Sequence, residues 1–227
     1  MSEFETDPEV ETPTAPPRRR QADRRAESRF HLLAAAVHLI VQQGVAAVTL
    51  EKIGAKAGYS RGLATQKFGS KQGLIEVLIT HLHGRLEEMM RDAQLEEMLG
   101  LQGILTFAGI FLREMATDDE VRAYFMLMAA SVADQAPGRA VFAMSHDIVK
   151  HKLTDLVIRG QQDGTILQGL DPTAMAILVG SLLLGFSTQS LVDPNMNMYA
   201  LHDSTLAAIN RALAAPSGEL PPDGELG

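Results

Sequence analysis

The chain has 227 residues with a formal net charge of −8, which is long enough for one or two domains around a buried core. It contains no cysteine, so disulfides and thiolate metal sites are excluded and nothing indicates an oxidising compartment. Helix-forming residues dominate without the apolar–polar alternation of strands, and the sequence therefore predicts an all-α fold.

The charge is unevenly distributed along the chain. Residues 1–17 contain five acidic residues and no Lys or Arg, whereas residues 18–71 contain eleven Lys or Arg and three acidic residues. Residues 72–227 contain nine Lys or Arg and twenty acidic residues. This asymmetry predicts a cationic module, suited to phosphate, attached to an acidic body.

Residues 1–24 are predicted to be disordered because they are acidic and proline-rich and end in a basic run, RRRQADRR at Arg18–Arg25. Two interpretations of this run stay open. It is either a solvated tail or an arm that lies along DNA phosphates or enters the minor groove. The terminus lacks the apolar core of a signal peptide, so we expect a cytoplasmic protein.

The first helix is predicted from about Ala26 to Gln43. Phe30, Leu33, Val37 and Ile40 recur at helical spacing and should form its inward-facing stripe. This helix is expected to be the scaffold behind the next two helices.

The segment from Thr49 to Lys71 predicts two short helices joined by a tight turn. Thr49 should cap a helix over residues 50–57, Gly58 should end that helix, and Ser60 should cap a second helix over residues 61–67. Such a pair is typical of a helix-turn-helix, whose second helix enters the DNA major groove.

The second of these helices should have a buried and an exposed face. Ala64 and Phe68 are four residues apart, so they should pack inward together. The outer and lateral faces then carry Arg61, Leu63, Thr65, Gln66 and Lys67.

The segment Phe30–Leu74 resembles the DNA-binding domain of the TetR (tetracycline repressor) family of transcriptional regulators. The resemblance is carried by LLAAAVHLIVQQG at Leu32–Gly44, VTLEKIGAKAGYSRG at Val48–Gly62 and FGSKQGL at Phe68–Leu74. It implies an N-terminal three-helix helix-turn-helix domain and a C-terminal helical domain for ligand binding and dimerisation.

The expected organisation follows from this resemblance and from the helical pattern. Residues 25–71 form the DNA-binding domain, residues 72–215 the regulatory and dimerisation domain, and residues 216–227 a disordered tail rich in Pro, Gly and acid. A fourth helix to about Ala93 should join the two domains. Further helices are predicted over Leu101–Ala116, Asp119–Asp134, Pro137–Asp163, Pro172–Val192 and Tyr199–Ala214.

Arg61 and Gln66 are the expected base-reading residues, because they can make bidentate contacts with guanine and adenine respectively. Leu63 either meets a thymine methyl or packs against the fourth helix. The phosphate candidates are Thr49, Ser60, Lys67 and Lys71, whose groups position the protein on DNA.

The chain departs from the family where a tyrosine is common, since it has Thr65 there, and it has Ala64 in place of a common leucine. The phenol of Tyr59 is expected to replace the missing contact in part. Thr65 itself remains on the predicted DNA-facing surface.

An apolar ligand cavity among helices four to eight is implied by the resemblance. Ordinary core packing would explain most of its candidate residues equally well. The candidates are Phe107, Phe111, Tyr124, Phe125, Met128, Phe142, His146 and Gln189. Arg113 and His151 are further polar candidates for orienting a ligand, and the sequence indicates no metal, cofactor or catalytic residue.

The apolar run Ala174–Phe186 is shorter than a membrane span and predicts a buried helix. The helices Pro172–Val192 and Tyr199–Ala214 are expected to form a four-helix homodimer interface, with Ala176 and Gly180 allowing close approach.

The leading hypothesis is a ligand-responsive repressor that binds a palindromic double-stranded operator as a dimer and is released by a small apolar molecule. An all-helical enzyme acting on a small apolar substrate is the alternative, although no catalytic motif supports it. A nonspecific DNA-binding or scaffolding protein is a third possibility.

Overall fold

The structure is a computed structural model that describes residues 18–133, 139–193 and 195–216. The helical fold is confirmed in these residues, which form nine α-helices and two short 3₁₀ turns, Val45–Ala47 and Leu95–Glu97. The helices are α1 (Arg18–Gln43), α2 (Leu50–Ala57), α3 (Arg61–Phe68), α4 (Lys71–Asp92), α5 (Gly100–Thr117), α6 (Asp119–Ala133), α7 (Arg139–Gln162), α8 (Pro172–Val192) and α9 (Met198–Leu213).

The first helix is longer than predicted. It begins at Arg18 rather than near Ala26, so the basic run is helical, and its assignment to a disordered tail is wrong. The run has a composition that favours a helix, since Arg, Gln and Ala are strong helix formers and no proline lies between Pro17 and Pro137. The predicted disorder of residues 1–17 and 217–227 and the predicted helix start at Pro137 lie outside the described residues.

Helices α1, α2 and α3 pack together around a small apolar core. On α1, Leu33, Val37 and Ile40 are buried as predicted, but Phe30 is 60% exposed. Apart from Ser28, the buried residues of α1 lie between Leu32 and Ile40, so Phe30 precedes the packed stretch although helix geometry places it on the same side as Val37. The prediction that Phe30 faces inward is wrong.

Helix α4 connects this head to the body, with Leu74, Leu78 and Leu82 buried along its inner side. In the body, α5 packs against α7, α8 and α9, and α7 packs against α8. The α5–α7 crossing is close at Gly100, where an added Cβ would lie 2.1 Å from the backbone nitrogen of Gly160. Glycine is required there because the two backbones leave no room for a side chain.

Helix α8 is buried on one side only. Ala176, Val179 and Leu183 are buried, whereas Ile177 and Leu178 are 52% and 47% exposed. The prediction of a buried helix is therefore wrong, and Ala176 faces its own subunit rather than a free surface. By length and composition α8 could cross a membrane, but a core helix of a soluble protein has the same properties.

Candidate DNA-binding face and effector cavity

Side-chain caps fix the positions of α2 and α3. Thr49 Oγ1 accepts a hydrogen bond from the Lys52 backbone N–H at 3.2 Å, and Ser60 Oγ accepts one from the Leu63 N–H at 3.1 Å. Gly58 ends α2 at φ 76° and ψ 22°, a left-handed conformation that glycine adopts readily. The caps therefore set where α3 begins and which side of it faces outward.

The second helix of the motif presents a polar outer surface. Ala64 and Phe68 are buried against the head, while Arg61, Thr65 and Gln66 are exposed. Leu63, which is half-buried, lies between these faces. Three side chains able to hydrogen-bond base edges are thus displayed together on one short helix, the arrangement that direct readout requires. We define Arg61, Thr65 and Gln66 as the outer face of α3.

The two lysines predicted to contact phosphate are both tied to the protein backbone. Lys67 Nζ donates to the Arg25 carbonyl oxygen at 3.0 Å. Lys71 Nζ donates to the carbonyl oxygens of Val45 and Ala46 at 3.1 and 3.0 Å. The Lys67 bond joins residues 42 positions apart in the sequence, and the Lys71 bonds join residues about 25 positions apart. These bonds hold the head together, a role that was not predicted from the sequence. An ammonium group has three donors, so each lysine keeps capacity for a phosphate.

Tyr59 is half-buried and its hydroxyl lies 3.2 Å from His31 Nδ1 on α1. The two rings also stack, with centroids 6.2 Å apart. The structure thus directs this phenol to α1, where it supports the turn before α3.

Arginines of α1 extend the basic surface next to α3. Arg24, Arg25 and Arg29 are exposed, and the Lys67–Arg25 bond brings this end of α1 against the end of α3. The basic run is therefore a helical feature of the head from Arg18 onward.

A cavity of about 290 Å³ lies in the body among α4, α5, α6, α7 and α8. Five of the eight candidate residues line it: Phe107, Phe111, Tyr124, Phe125 and His146. Its lining is mainly apolar, as expected for a small-molecule site.

Three candidates lie elsewhere. Phe142 is buried behind the cavity wall, where its ring packs edge-on to that of Tyr124 at 5.1 Å. Met128 packs against the core, and Gln189 is exposed on α8. Arg113 also points away from the cavity toward a groove beside α9. Helical periodicity predicted that these residues are near the core, but it does not distinguish filling a core from lining a cavity.

The α4 wall of the cavity was not predicted from the sequence. His83, Leu86, Met89 and Met90 contribute to this wall. A signal was available, because Leu86, Met89 and Met90 continue the apolar side of α4 at helical spacing.

A chain of polar groups lies in this otherwise apolar wall. Ser145 Oγ on α7 lies 2.7 Å from His83 Nδ1 on α4, and His83 Nε2 lies 3.1 Å from Glu87 Oε1. Burial raises the pKa of the adjacent Tyr124 phenol, and the nearby Ser145 hydroxyl lowers it by a smaller amount. We call Tyr124, Ser145, His83 and Glu87 the polar chain.

The outer end of the cavity is charged. Lys150 Nζ forms an ion pair with Asp147 Oδ1 at 2.6 Å, and this hydrogen bond lowers the pKa of Asp147. His146 donates from Nδ1 to the Phe142 carbonyl of its own helix at 3.2 Å, and His151 donates to that of Asp147 at 2.7 Å. Within the described residues, no three His, Asp or Glu side chains are grouped closely enough to hold a metal ion.

The family model described as "Bacterial regulatory proteins, tetR family" matches residues 32–78. No curated protein sequence matches the chain. Among solved structures, it is similar to the fatty acid degradation regulator FadR from Bacillus halodurans, with 18% identity and a TM-score of 0.70 over 81% of this chain and 94% of that one. It is also similar to SmeT, the repressor of the Stenotrophomonas maltophilia multidrug efflux pump SmeDEF, with 22% identity and a TM-score of 0.68 over 83% and 91% of the two chains. A SmeT–triclosan complex matches with 20% identity and a TM-score of 0.67 over 88% and 100%.

Proposed function

This chain belongs to the TetR family of bacterial regulatory proteins and is a DNA-binding transcriptional regulator, and from that premise we propose that it is a cytoplasmic repressor. It binds a palindromic operator as a homodimer and is released by a small apolar molecule. Residues 25–71, with the preceding turns of α1, form its DNA-binding domain, and residues 72–215 form its regulatory domain.

The observation that carries the proposal is the outer face of α3. Ser60 caps the helix, Ala64 packs inward, and the polar outer face meets solvent beside the arginines of α1. Arg61 and Gln66 are the base readers, and the phosphate candidates Thr49, Ser60, Lys67 and Lys71 position the head on DNA. In this proposal Lys67 and Lys71 have two roles, since both also hold the head together.

The free side of α8 supports the proposed dimer. Leu178 and Leu182 are 47% and 36% exposed on this side, and a second copy would cover these two large apolar side chains. Helix α9 lies beside α8 and would complete a four-helix interface. A two-fold axis there would place two α3 helices on one operator, with half-sites about 34–36 Å apart.

The cavity supports the proposed release by a small molecule, as does the similarity to the SmeT–triclosan complex. Helix α4 begins with Lys71 bonded to the head and passes through the cavity wall at Leu86. A ligand that fits best when α4 is displaced would favour conformations in which the separation of the two heads does not match the operator. The ligand would weaken DNA binding because it increases the population of these conformations.

The enzyme alternative has one observation in its favour, because Ser145, His83 and Glu87 follow one another as in a hydrolase triad. Ser145, however, lies inside α7, where backbone N–H groups bond to carbonyls of the preceding turn. The described residues around it therefore offer no free pair of N–H donors for an oxyanion. Repression remains the better-supported proposal.

Selection of bound duplexes from a random DNA pool tests the proposal. We expect a palindromic site whose half-sites are about one helical turn apart, bound by two chains. Addition of small apolar compounds should then release the purified protein from that site. If the selection recovers unrelated sequences whose affinities all depend on salt in the same way, nonspecific binding is supported instead.

A further inference from the structure

From the polar chain we infer the chemical class of the effector: an uncharged, mainly apolar molecule carrying one hydroxyl group, as in an alkylphenol. This inference rests on the proposed function. The hydroxyl would bond at Ser145 and Tyr124, and the apolar part would occupy the space lined by Phe107, Phe111 and Phe125.

The hydrogen-bonding capacity of the polar chain favours a ligand that donates. The Ser145 hydroxyl proton has two acceptors within the protein, His83 Nδ1 at 2.7 Å and the Val141 carbonyl oxygen at 3.1 Å. With this proton engaged inside the protein, a lone pair on the Ser145 oxygen remains for a donor from the cavity.

The charges around the cavity disfavour an anion. Glu114 and Asp147 line it, and Glu87 lies behind His83. Lys150, which also lines the cavity, is already paired with Asp147. A carboxylate ligand would therefore be desolvated among like charges, with its closest counter-ion engaged elsewhere.

The polar chain also connects the cavity to α4. His83 and Glu87 belong to α4, Tyr124 to α6 and Ser145 to α7. Among the described residues, the His83–Ser145 contact is the side-chain hydrogen bond that joins α4 to α7. A ligand hydroxyl that competes for Ser145 would loosen this connection, which gives the bound molecule a direct effect on the helix that carries the head.

The test measures calorimetric binding of four probes of one shape to the full-length protein: 4-butylphenol, butylbenzene, 4-butylbenzoate and 4-butylbenzylamine. We expect 4-butylphenol to bind tightest, about 10-fold tighter than butylbenzene, because the latter has no hydroxyl to donate to the Ser145 oxygen. Ser145→Ala should weaken 4-butylphenol about 5- to 10-fold and leave butylbenzene unchanged.

Ser187→Ala is the matched control, because Ser187 is also a buried helical serine bonded to its own helix but lies outside the cavity lining. It should not change the affinity for either probe. The probe ranking on the unmodified protein does not depend on whether a variant folds.

Two outcomes separate this inference from the proposed function. If butylbenzene, the benzoate or the amine binds as tightly as the phenol and releases the operator, the assigned ligand class is wrong while ligand-responsive repression stands. If no probe of any class binds or releases the operator, both the ligand class and the proposed use of this cavity are overturned.

Discussion

The Nζ of Lys67, at the end of α3, donates a hydrogen bond to the backbone carbonyl oxygen of Arg25 on α1 at 3.0 Å. This contact holds the basic end of α1 beside the helix that carries the outer face. Because Arg25 lies in a helix rather than in a loose tail, its backbone has a defined position relative to α3 and to any duplex that α3 enters.

The first prediction concerns this end of α1. The double variant Arg24→Gln/Arg25→Gln should weaken binding to operator and random DNA by similar factors, because phosphate contacts carry no sequence information. The slope of log K against log salt should fall by about 1 for each phosphate that the variant no longer neutralises. Fluorescence anisotropy titrations across a salt series measure both effects.

Arg113→Gln/Arg139→Gln provides the charge-matched control, since both arginines are exposed on the body. An equal loss of affinity in this control would attribute the effect to net charge alone. An unchanged salt slope in the Arg24/Arg25 variant would mean that this end of α1 does not touch the duplex.

The second prediction concerns the cap of α3. Ser60→Ala should destabilise the protein by about 1 kcal/mol, because the Leu63 N–H loses its acceptor. Ser60→Gly should cost only a few tenths of a kcal/mol. Urea unfolding followed by circular dichroism gives the free energies, with the exposed Ser204→Ala on α9 as the control that should change little. A Ser60→Ala variant as stable as the parent would show that the cap contributes nothing.

The third prediction compares two glycines in helices. At Gly100 a Cβ would lie 2.1 Å from the Gly160 nitrogen and 2.3 Å from the Leu156 carbonyl oxygen, so Gly100→Ala must separate α5 from α7. We expect a loss of roughly 1–3 kcal/mol, the range of overpacking. At Gly84 a Cβ meets nothing within 4 Å, so Gly84→Ala should stabilise α4 by about 0.5–1 kcal/mol. In chemical denaturation, the two substitutions should change the free energy of unfolding in opposite directions. Destabilisation by both substitutions would contradict the packing described.

The fourth prediction concerns the dimer. Leu178→Glu/Leu182→Glu places two charges on the free side of α8 and should convert the protein to monomers in sedimentation experiments. Operator affinity should fall steeply, because the two heads are no longer joined. Met144→Glu on α7, at a residue 66% exposed, is the control and should remain dimeric. Persistence of the dimer in the double variant would place the interface elsewhere.

Local signals in the sequence predicted the head well. The rotational position of α3 is set by the caps at Thr49 and Ser60 and by the helix stop at Gly58. The inward direction of Ala64 and Phe68 therefore followed from their spacing of four residues. The direct physical cause is short-range, since each cap bonds within its own first turn.

Long-range contacts could not be predicted in the same way. The bonds from Lys67 and Lys71 cross dozens of residues, and nothing local distinguishes these lysines from free ones. The polar chain joins His83 to Ser145, 62 residues apart, and depends on how α4 meets α7. Phe142 and Phe125 have similar apolar surroundings in the sequence, yet the cavity lies beside only one of them.

The central claim is that the outer face of α3 determines which bases are bound, and affinities for a selected operator and its single-base variants test it most directly. For Arg61→Ala we expect the preference for one base over the others to disappear at one base pair of each half-site, with the other positions unchanged. The lost preference should amount to about 1–3 kcal/mol. Gln66→Ala should do the same at a different base pair. If either variant instead loses affinity equally for every base variant and for random DNA, or loses none, the assignment of that residue as a base reader is contradicted.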